Sequence, residues 1–283
     1  MIPASFDYEV ATSLDQAITL LADGGDDAKL LAGGHSLLPL MKLRLARPSL
    51  LIDLRELRDL SYVKEEADHI AIGALTRHHE IERSAIVQKS CPLLSHTAGL
   101  VGDPQVRHRG TIGGSVAHGD PASDLPTTLL ALGAQFAMRG PSGERTVSAS
   151  QFFTGFFETA LKPDEILTEI RVPRLGASQG WSYLKFNRRA QDWAIVGVAT
   201  VVGRSNGTID DAAIALTNMG RTPLRAGAVE NALRGAPLGE VATAAMKATD
   251  GTNPPSDTNA SAEYREHLVK VLVRRALEKA LAV

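Results

Sequence analysis

The sequence predicts an α+β protein built from three lobes. Three observations carry this. Strand, helix and strand follow one another within residues 1–57, a small βαβ unit; residues 58–176 mix short strands with helices; and residues 177–283 run strands first, then helices. A chain of 283 residues exceeds what one core organises, so subdivision is expected. Gly176 to Gly180, small and polar, reads as the linker to the third lobe.

The elements follow from local signals. Ser13-Leu14-Asp15-Gln16 has a capping-box pattern, Leu14, Ile18 and Leu21 share one helical face, and Gly24 stops the helix. Ala28 to Ala32 is a short buried strand, Ser36 to Leu45 a helix with Pro39 in its first turn, and Leu50 to Leu54 a second strand. In the second lobe, His69 to Ala74 alternates like a strand, and Thr76 is placed to cap a short helix containing Ile81. Ser84 to Leu100 reads as helix interrupted near Pro92, and Gly110 to His118 as a largely extended glycine turn. Ser123-Asp124 opens a helix that Gly133 closes, and Gly140-Pro141-Ser142-Gly143 joins a hairpin. Ile166 to Val172 is a strand ended by Pro173. In the third lobe, Trp181 to Phe186 and Trp193 to Val202 read as strands, and Asn206-Gly207 turns the chain into a further strand from Ile209 to Leu216. Helices are then expected from Arg221 to Arg234, from Glu240 to Ala248, and from Ser261 to the end.

Composition excludes several classes. A net charge of −2 and no basic run argue against nucleic-acid binding. The longest apolar run, Trp193 to Gly203, is too short to span a bilayer, and the first residues lack a signal-peptide pattern. A single cysteine, Cys91, fits a reducing, cytoplasmic setting and rules out an all-thiolate iron–sulfur cluster held by this chain. Adjacent His78 and His79 point different ways on a helix, so no metal site is assigned.

Chemistry concentrates at two glycine turns. Leu30-Leu31-Ala32-Gly33-Gly34-His35-Ser36-Leu37-Leu38 runs from an apolar strand into a bare glycine pair and then a helix. Such a turn lets a ligand touch the main chain and aims unpaired N–H groups at an anion. Arg109-Gly110-Thr111-Ile112-Gly113-Gly114-Ser115 repeats the theme, and two such turns can grip a diphosphate from both sides. A glycine pair alone is more often punctuation, as at Gly24-Gly25. Neither G-x-G-x-x-G nor G-x-x-x-x-G-K-S/T occurs, so a Rossmann or P-loop site is disfavoured.

Other candidates surround these turns. His35 and His118 adjoin them, although such histidines are more often structural than catalytic. Asp120 and Asp124 follow the second turn. Asp124 is either a helix cap or an acceptor for ribose or ribityl hydroxyls. Lys185 and Trp193 open the third lobe, as ordinary residues or as cover for a flat ring. No residue is assigned as acid, base or nucleophile.

Ala32-Gly33-Gly34-His35-Ser36-Leu37-Leu38-Pro39-Leu40-Met41, followed by Arg44 to Pro48, resembles the first FAD loop of a known family. Arg107 to Ser115, followed by Asp120-Pro121 and Asp124-Leu125-Pro126, resembles its second. The family is that of the FAD-binding medium subunits of molybdenum hydroxylases, typified by carbon monoxide dehydrogenase and similar to the flavin domain of xanthine dehydrogenase. The resemblance implies a two-lobed FAD-binding domain of the vanillyl-alcohol-oxidase (PCMH) type, residues 1–57 and 58–176, followed by a smaller α+β C-terminal medium-subunit domain, 177–283. It places Ala32, Gly33, Gly34, His35, Ser36 and Leu37, with Thr111, Ile112, Gly113, Gly114 and Ser115, around the FAD diphosphate. Asp120 follows the second loop, Asp124 matches the acidic residue beside the cofactor, Lys185 matches a basic one near the flavin, and Trp193 stands where relatives often carry tyrosine. His35 departs from the commoner glutamine.

The resemblance further implies partners: a large subunit with the molybdenum cofactor and a small iron–sulfur subunit, assembled as a dimer of heterotrimers. Electrons would leave through FAD to quinone, NAD or oxygen, in the cytoplasm or at the inner face of the membrane. Substrate would react on the large partner, as carbon monoxide, an aldehyde or an N-heterocycle. The competing readings are a self-contained flavin oxidase, for which this chain is short, and a scaffold whose glycine turns are only turns.

Overall fold

A computed structural model describes residues 2–282. The first lobe consists of Asp7–Val10 (β1), Leu14–Gly24 (α1), Ala28–Leu31 (β2), Leu37–Lys42 (α2) and Leu50–Asp53 (β3). Its three strands are parallel in the order β1-β3-β2. Ser13 Oγ accepts the Gln16 N–H at 3.1 Å as the predicted cap, but Gln16 Oε1 reaches past Ser13 to the Thr12 N–H at 2.8 Å, so the reciprocal half of the capping box does not form. Ile18 and Leu21 on α1 pack with Ala28 and Ile52. Helix α2 is shorter than its apolar pattern predicts. Ser36 makes no side-chain cap, and Arg44 at φ 59° turns the chain away after Lys42.

The second lobe runs Val63–Glu65 (β4), His69–Gly73 (β5), His78–Arg83 (α3), Ala85–Ser90 (α4), Pro92–Gly99 (α5), Pro104–Arg107 (α6), Ile112–His118 (α7), Asp124–Ala131 (α8), Gln135–Gly140 (β6) and Gly143–Ser148 (β7). It continues through Ala149–Phe152 (α9), Phe153–Gly155 (β8), Glu158–Thr159 (β9) and Ile166–Pro173 (β10). The main sheet is antiparallel, in the order β4-β5-β10-β6-β7. The chain therefore returns to insert its last strand between two earlier ones.

Two local expectations need correction. Gly110 to His118 is not extended: residues from Ile112 form α7, with Thr111 as its cap. Glycine's low helix propensity hides this helix, while burial of Ile112 and Val116 against the core holds it. Thr76 does not cap α3. Its hydroxyl bonds the backbone N–H and C=O of Tyr62, at 3.0 and 2.9 Å, and Glu80 instead accepts the Arg77 N–H at 2.7 Å.

The third lobe contains Gln179–Phe186 (β11), Val196–Ser205 (β12), Thr208–Thr217 (β13), Leu224–Arg225 (β14), Gly227–Leu233 (α10), Val241–Ala245 (α11) and Ala262–Ala282 (α12). Its sheet is antiparallel in sequence order. Asn206 and Gly207 both have positive φ, 51° and 80°, as the two-residue hairpin requires. The strand predicted from Trp193 begins only at Val196, leaving Trp193 in a loop, and the helix predicted from Arg221 is replaced by edge strand β14 before α10.

Both faces of this third sheet are covered, which explains the near-continuous apolar run of β12. Ala199 and Val201 face the core of the second lobe, together with Tyr183 and Ala215. Val198 and Val202 face Val229, Leu272 and Val273 on the helical side. Arg265 of α12 is fully buried and donates to the Ile195 carbonyl and to Asp257.

Candidate cofactor site

A cavity of about 560 Å³ opens where the three lobes meet. It is lined by Ala32, Gly33, Gly34, His35, Ser36 and Leu37 from the first turn and by Thr111, Gly113, Gly114 and Ser115 from the second. Asp120, Asp124, Lys185 and Trp193 line it as well. Ile112 does not. It is fully buried beneath α7 and holds the turn from below.

The two turns touch. A Cβ built on Gly33 would lie 2.8 Å from the Gly110 Cα and closer still to the Arg109 carbonyl oxygen. Main chain thus meets main chain, and only glycine fits. Gly34 sits at φ +78°, a left-handed conformation that reverses the chain after β2.

Accounting for backbone amides shows that the grip is unequal. The N–H groups from Ala32 to Leu37 find no acceptor among the described residues, so a row of bare donors faces the cavity. With α2 only six residues long, these local donors carry the attraction rather than a helix dipole. The second turn is different. Ile112 N–H goes to Thr76 O at 3.0 Å, Gly113 N–H to Ala74 O at 2.9 Å, Gly114 N–H to Thr111 Oγ1 at 3.1 Å and Ser115 N–H to Thr111 O at 3.0 Å. The expectation that both turns offer their amides is corrected here. The second turn offers a surface without side chain at Gly114, and the Ser115 side chain beside it.

At the other end, Asp124 and Lys185 form a buried ion pair, Oδ2 to Nζ 2.8 Å, each side chain 6% exposed. Lys185 Nζ also donates to the Leu100 carbonyl at 3.2 Å, and Tyr183 Oη donates to Asp124 Oδ1 at 2.7 Å. Behind Tyr183 stand the hydroxyls of Thr217 and Thr127, 2.9 Å apart. Burial pushes the Asp124 carboxyl up from its ordinary value, and the Lys185 ammonium opposes that shift. The cap of α8 is Ser123, so Asp124 is free for this role. Asp120 is also pushed up by burial, against one hydrogen bond from the Ala122 N–H at 2.8 Å. Trp193 lines the cavity as well and is 67% exposed.

Sequence reasoning missed His78, which lines the wall and is 4% exposed. Its neighbour His79 instead stacks on His108 at 4.1 Å, so the two rings do diverge. Burial, then the charges of His35 and Arg107, lower the His78 pKa to about 4 from 6.5. The folded chain therefore binds this proton later than the unfolded chain, and stability falls as pH drops from 6.5 towards 4. We expect this residue to contribute a loss of about 3 kcal/mol at the acid end. Denaturant melts of wild type and His78→Gln across that range check it, the variant losing less stability over the same interval.

Two family profiles cover nearly the whole chain. Residues 4–175 match the FAD binding domain in molybdopterin dehydrogenase, and residues 181–280 match the CO dehydrogenase flavoprotein C-terminal domain. The carbon monoxide dehydrogenase medium chain of Hydrogenophaga pseudoflava is 43% identical over 284 aligned residues, covering 100% of this chain and 99% of that protein. Subunit alpha of the 6-hydroxypseudooxynicotine dehydrogenase complex of Paenarthrobacter nicotinovorans is 41% identical, covering 99% of this chain and 96% of the relative. Among solved structures, a chain of the H. pseudoflava carbon monoxide dehydrogenase lacking the Mo-pyranopterin moiety superposes with a TM-score of 0.97 at 46% identity, covering 100% of this chain and 99% of that one.

Proposed function

Because the chain belongs to the family of FAD-binding medium subunits of molybdenum hydroxylases, we propose that its cavity holds FAD with the diphosphate on the first glycine turn and the flavin ring towards Lys185. The observation that carries this placement is the row of unaccepted N–H groups from Ala32 to Leu37, set against a second turn whose Gly114 leaves room for close approach. The residues fit such a group: bare backbone suits a diphosphate, and a cavity of about 560 Å³ with mixed lining suits a large, partly apolar cofactor.

The protein is an oxidoreductase component, the flavoprotein member of a multi-subunit complex with large and small partners. Bound FAD supplies the ability to take electrons singly and release them in pairs. The chain itself binds, orients and tunes. The first turn fixes the anionic end of the cofactor. Lys185, held in place by Asp124 and the Leu100 carbonyl, sets a positive charge at the far end. Asp120, Ser115 and Thr111 are assigned to polar contacts along the cofactor, and Trp193 to the mouth. His35 lies beside the diphosphate.

Three further points belong to this proposal. The FAD-binding domain divides into 1–57 and 58–176, with the C-terminal domain from 177. The assembly contains two copies of each of three subunits. Substrate reacts on the large partner and electrons reach this chain through the small one. No helix among the described residues is long and apolar enough to cross a membrane.

The test is direct. Purified full chain should hold about one FAD per polypeptide, released on acid precipitation rather than retained with the protein. A chain that takes up no flavin at any ratio in a titration sinks the placement. Colour that stays with the denatured protein would point to covalent attachment, as in a self-contained oxidase.

A further inference from the structure

A second cavity, of about 630 Å³, lies against the outer side of the first and shares Asp120, Asp192 and Trp193 with it. Its lining is aromatic. Phe156 and Phe157 meet edge to face at 4.5 Å, and with Trp193 they leave large apolar surfaces exposed, at 53%, 44% and 67%. Exposure on this scale, contiguous around one concavity, marks a binding surface. Phe157 also sits at φ 57°, a left-handed backbone that a bulky residue rarely adopts, and its ring packs on His118 at 4.9 Å. That conformation belongs to the two-residue turn, Phe156-Phe157, that joins β8 to β9 and carries both rings to the cavity wall.

The polar lining discriminates between ligands. No glycine lines this cavity, in contrast to the first, so no bare backbone is offered to a diphosphate. Three carboxylates, Asp120, Asp192 and Asp257, face two guanidinium groups. Arg265 is already engaged by the Ile195 carbonyl and Asp257. That leaves Arg188 as the one cation without a partner among the described lining residues. Such a surface repels polyanions and accepts a neutral, flat ring with a carbonyl oxygen for Arg188.

We propose that the second cavity receives a quinone, the acceptor of the electrons that leave this subunit, and not a nicotinamide dinucleotide. The ring packs on Phe156 and Phe157, Arg188 donates to one carbonyl oxygen, and Asp120 on the shared wall serves the other side. Flavin in its anionic reduced form would supply two electrons and one proton. A second proton comes from solvent by way of Asp120, and the two carbonyl oxygens of the quinone become hydroxyls. Burial raises the proton affinity of Asp120, which suits it to that relay. The electron source in this proposal rests on the flavin reading above; the cavity assignment can be tested apart from it.

The experiment uses the full chain, with its flavin content read first from visible absorbance. Tryptophan emission is titrated with decylubiquinone and, separately, with NAD⁺. Chain reduced anaerobically is then mixed with each, and the return of flavin absorbance is followed. Saturable quenching and saturable reoxidation by the quinone are expected, with neither from NAD⁺. Phe156→Ala should raise the apparent Kd about ten-fold, the size of effect expected on truncating an aromatic anchor. Arg188→Gln should act in the same direction, and both variants should keep wild-type flavin content. A linear dependence on quinone, an unchanged Kd in Phe156→Ala, or saturation by NAD⁺ overturns the proposal. So does a Phe156→Ala chain whose only defect is weaker assembly with its partner subunits, since the aromatic face would then be an interface. Chain without flavin that is still quenched saturably by quinone would sink the flavin reading and keep this cavity's assignment.

Discussion

Gly114→Ala is expected to lower the affinity for FAD at least about ten-fold while leaving the stability of the flavin-free chain nearly unchanged. The Cβ it adds meets one protein atom, Thr111 Oγ1 at 2.8 Å, and otherwise points into the cavity. Inside α7, alanine gains roughly 0.5–1 kcal/mol of helix propensity over glycine. Displacing the Thr111 hydroxyl from its cap costs about 1 kcal/mol, so the two effects offset. Gly33→Ala should behave differently. Its Cβ would meet main chain, the Arg109 carbonyl and the Gly110 Cα, and backbone cannot step aside as a hydroxyl can. Forcing the two turns apart costs about 1–3 kcal/mol or more, so both flavin content and melting temperature should fall. Equilibrium flavin titration beside calorimetry of the apo-chain separates the two variants. Full flavin content in Gly114→Ala would mean that nothing approaches that turn closely.

Lys185→Met is expected to destabilise the chain by about 3–5 kcal/mol, the cost of leaving a buried charge without its partner. Asp124 would keep the hydrogen bond from Tyr183 but lose the ammonium at 2.8 Å. Burial already raises its proton affinity, and removal of Lys185 takes away the main opposing influence. The sign of the pH dependence follows. A carboxyl whose folded pKa is raised binds more protons in the folded chain, so stability declines as pH rises above the ordinary value of 3.8. The deficit of Lys185→Met relative to wild type should therefore be small near that value and grow towards neutrality. Adding Asp124→Asn should recover most of the loss, because a neutral amide tolerates the site better than an unpaired carboxylate. Urea midpoints of the two single variants and the double variant, measured across pH, decide it. A single variant within about 1 kcal/mol of wild type at neutral pH would show that the pair carries little of the fold.

Much of the architecture was legible because it is written locally. Ser13 as the cap of α1, the Asn206-Gly207 turn and the glycine pair after Leu31 each dictate backbone shape within a few residues, and each takes the predicted form. The helix at Ile112 escaped notice because its propensity is poor and its support is tertiary. The helix expected from Arg221 failed for a related reason. Leu224 and Arg225 pair with Leu216 and Ala215 instead, a partner that no local pattern announces.

The site divides along the same line. That glycine turns, Asp124 and Lys185 matter could be read from residue type and from a motif resemblance. How they act could not. Only the folded chain showed that the amides of the second turn are already spent on Thr76, Ala74 and Thr111, or that Tyr183 and Lys185 reach Asp124 from another lobe. The same holds for His78 against Gly110 of the second turn and for a second cavity behind Trp193. By itself, the sequence determined many of the local elements, the points where the backbone must bend, and the family to which the chain belongs. The tertiary structure decided which donors remain free and which charges are paired. Turn and helix signals act over a few residues, whereas hydrogen-bond satisfaction and desolvation depend on whatever distant segment packs alongside.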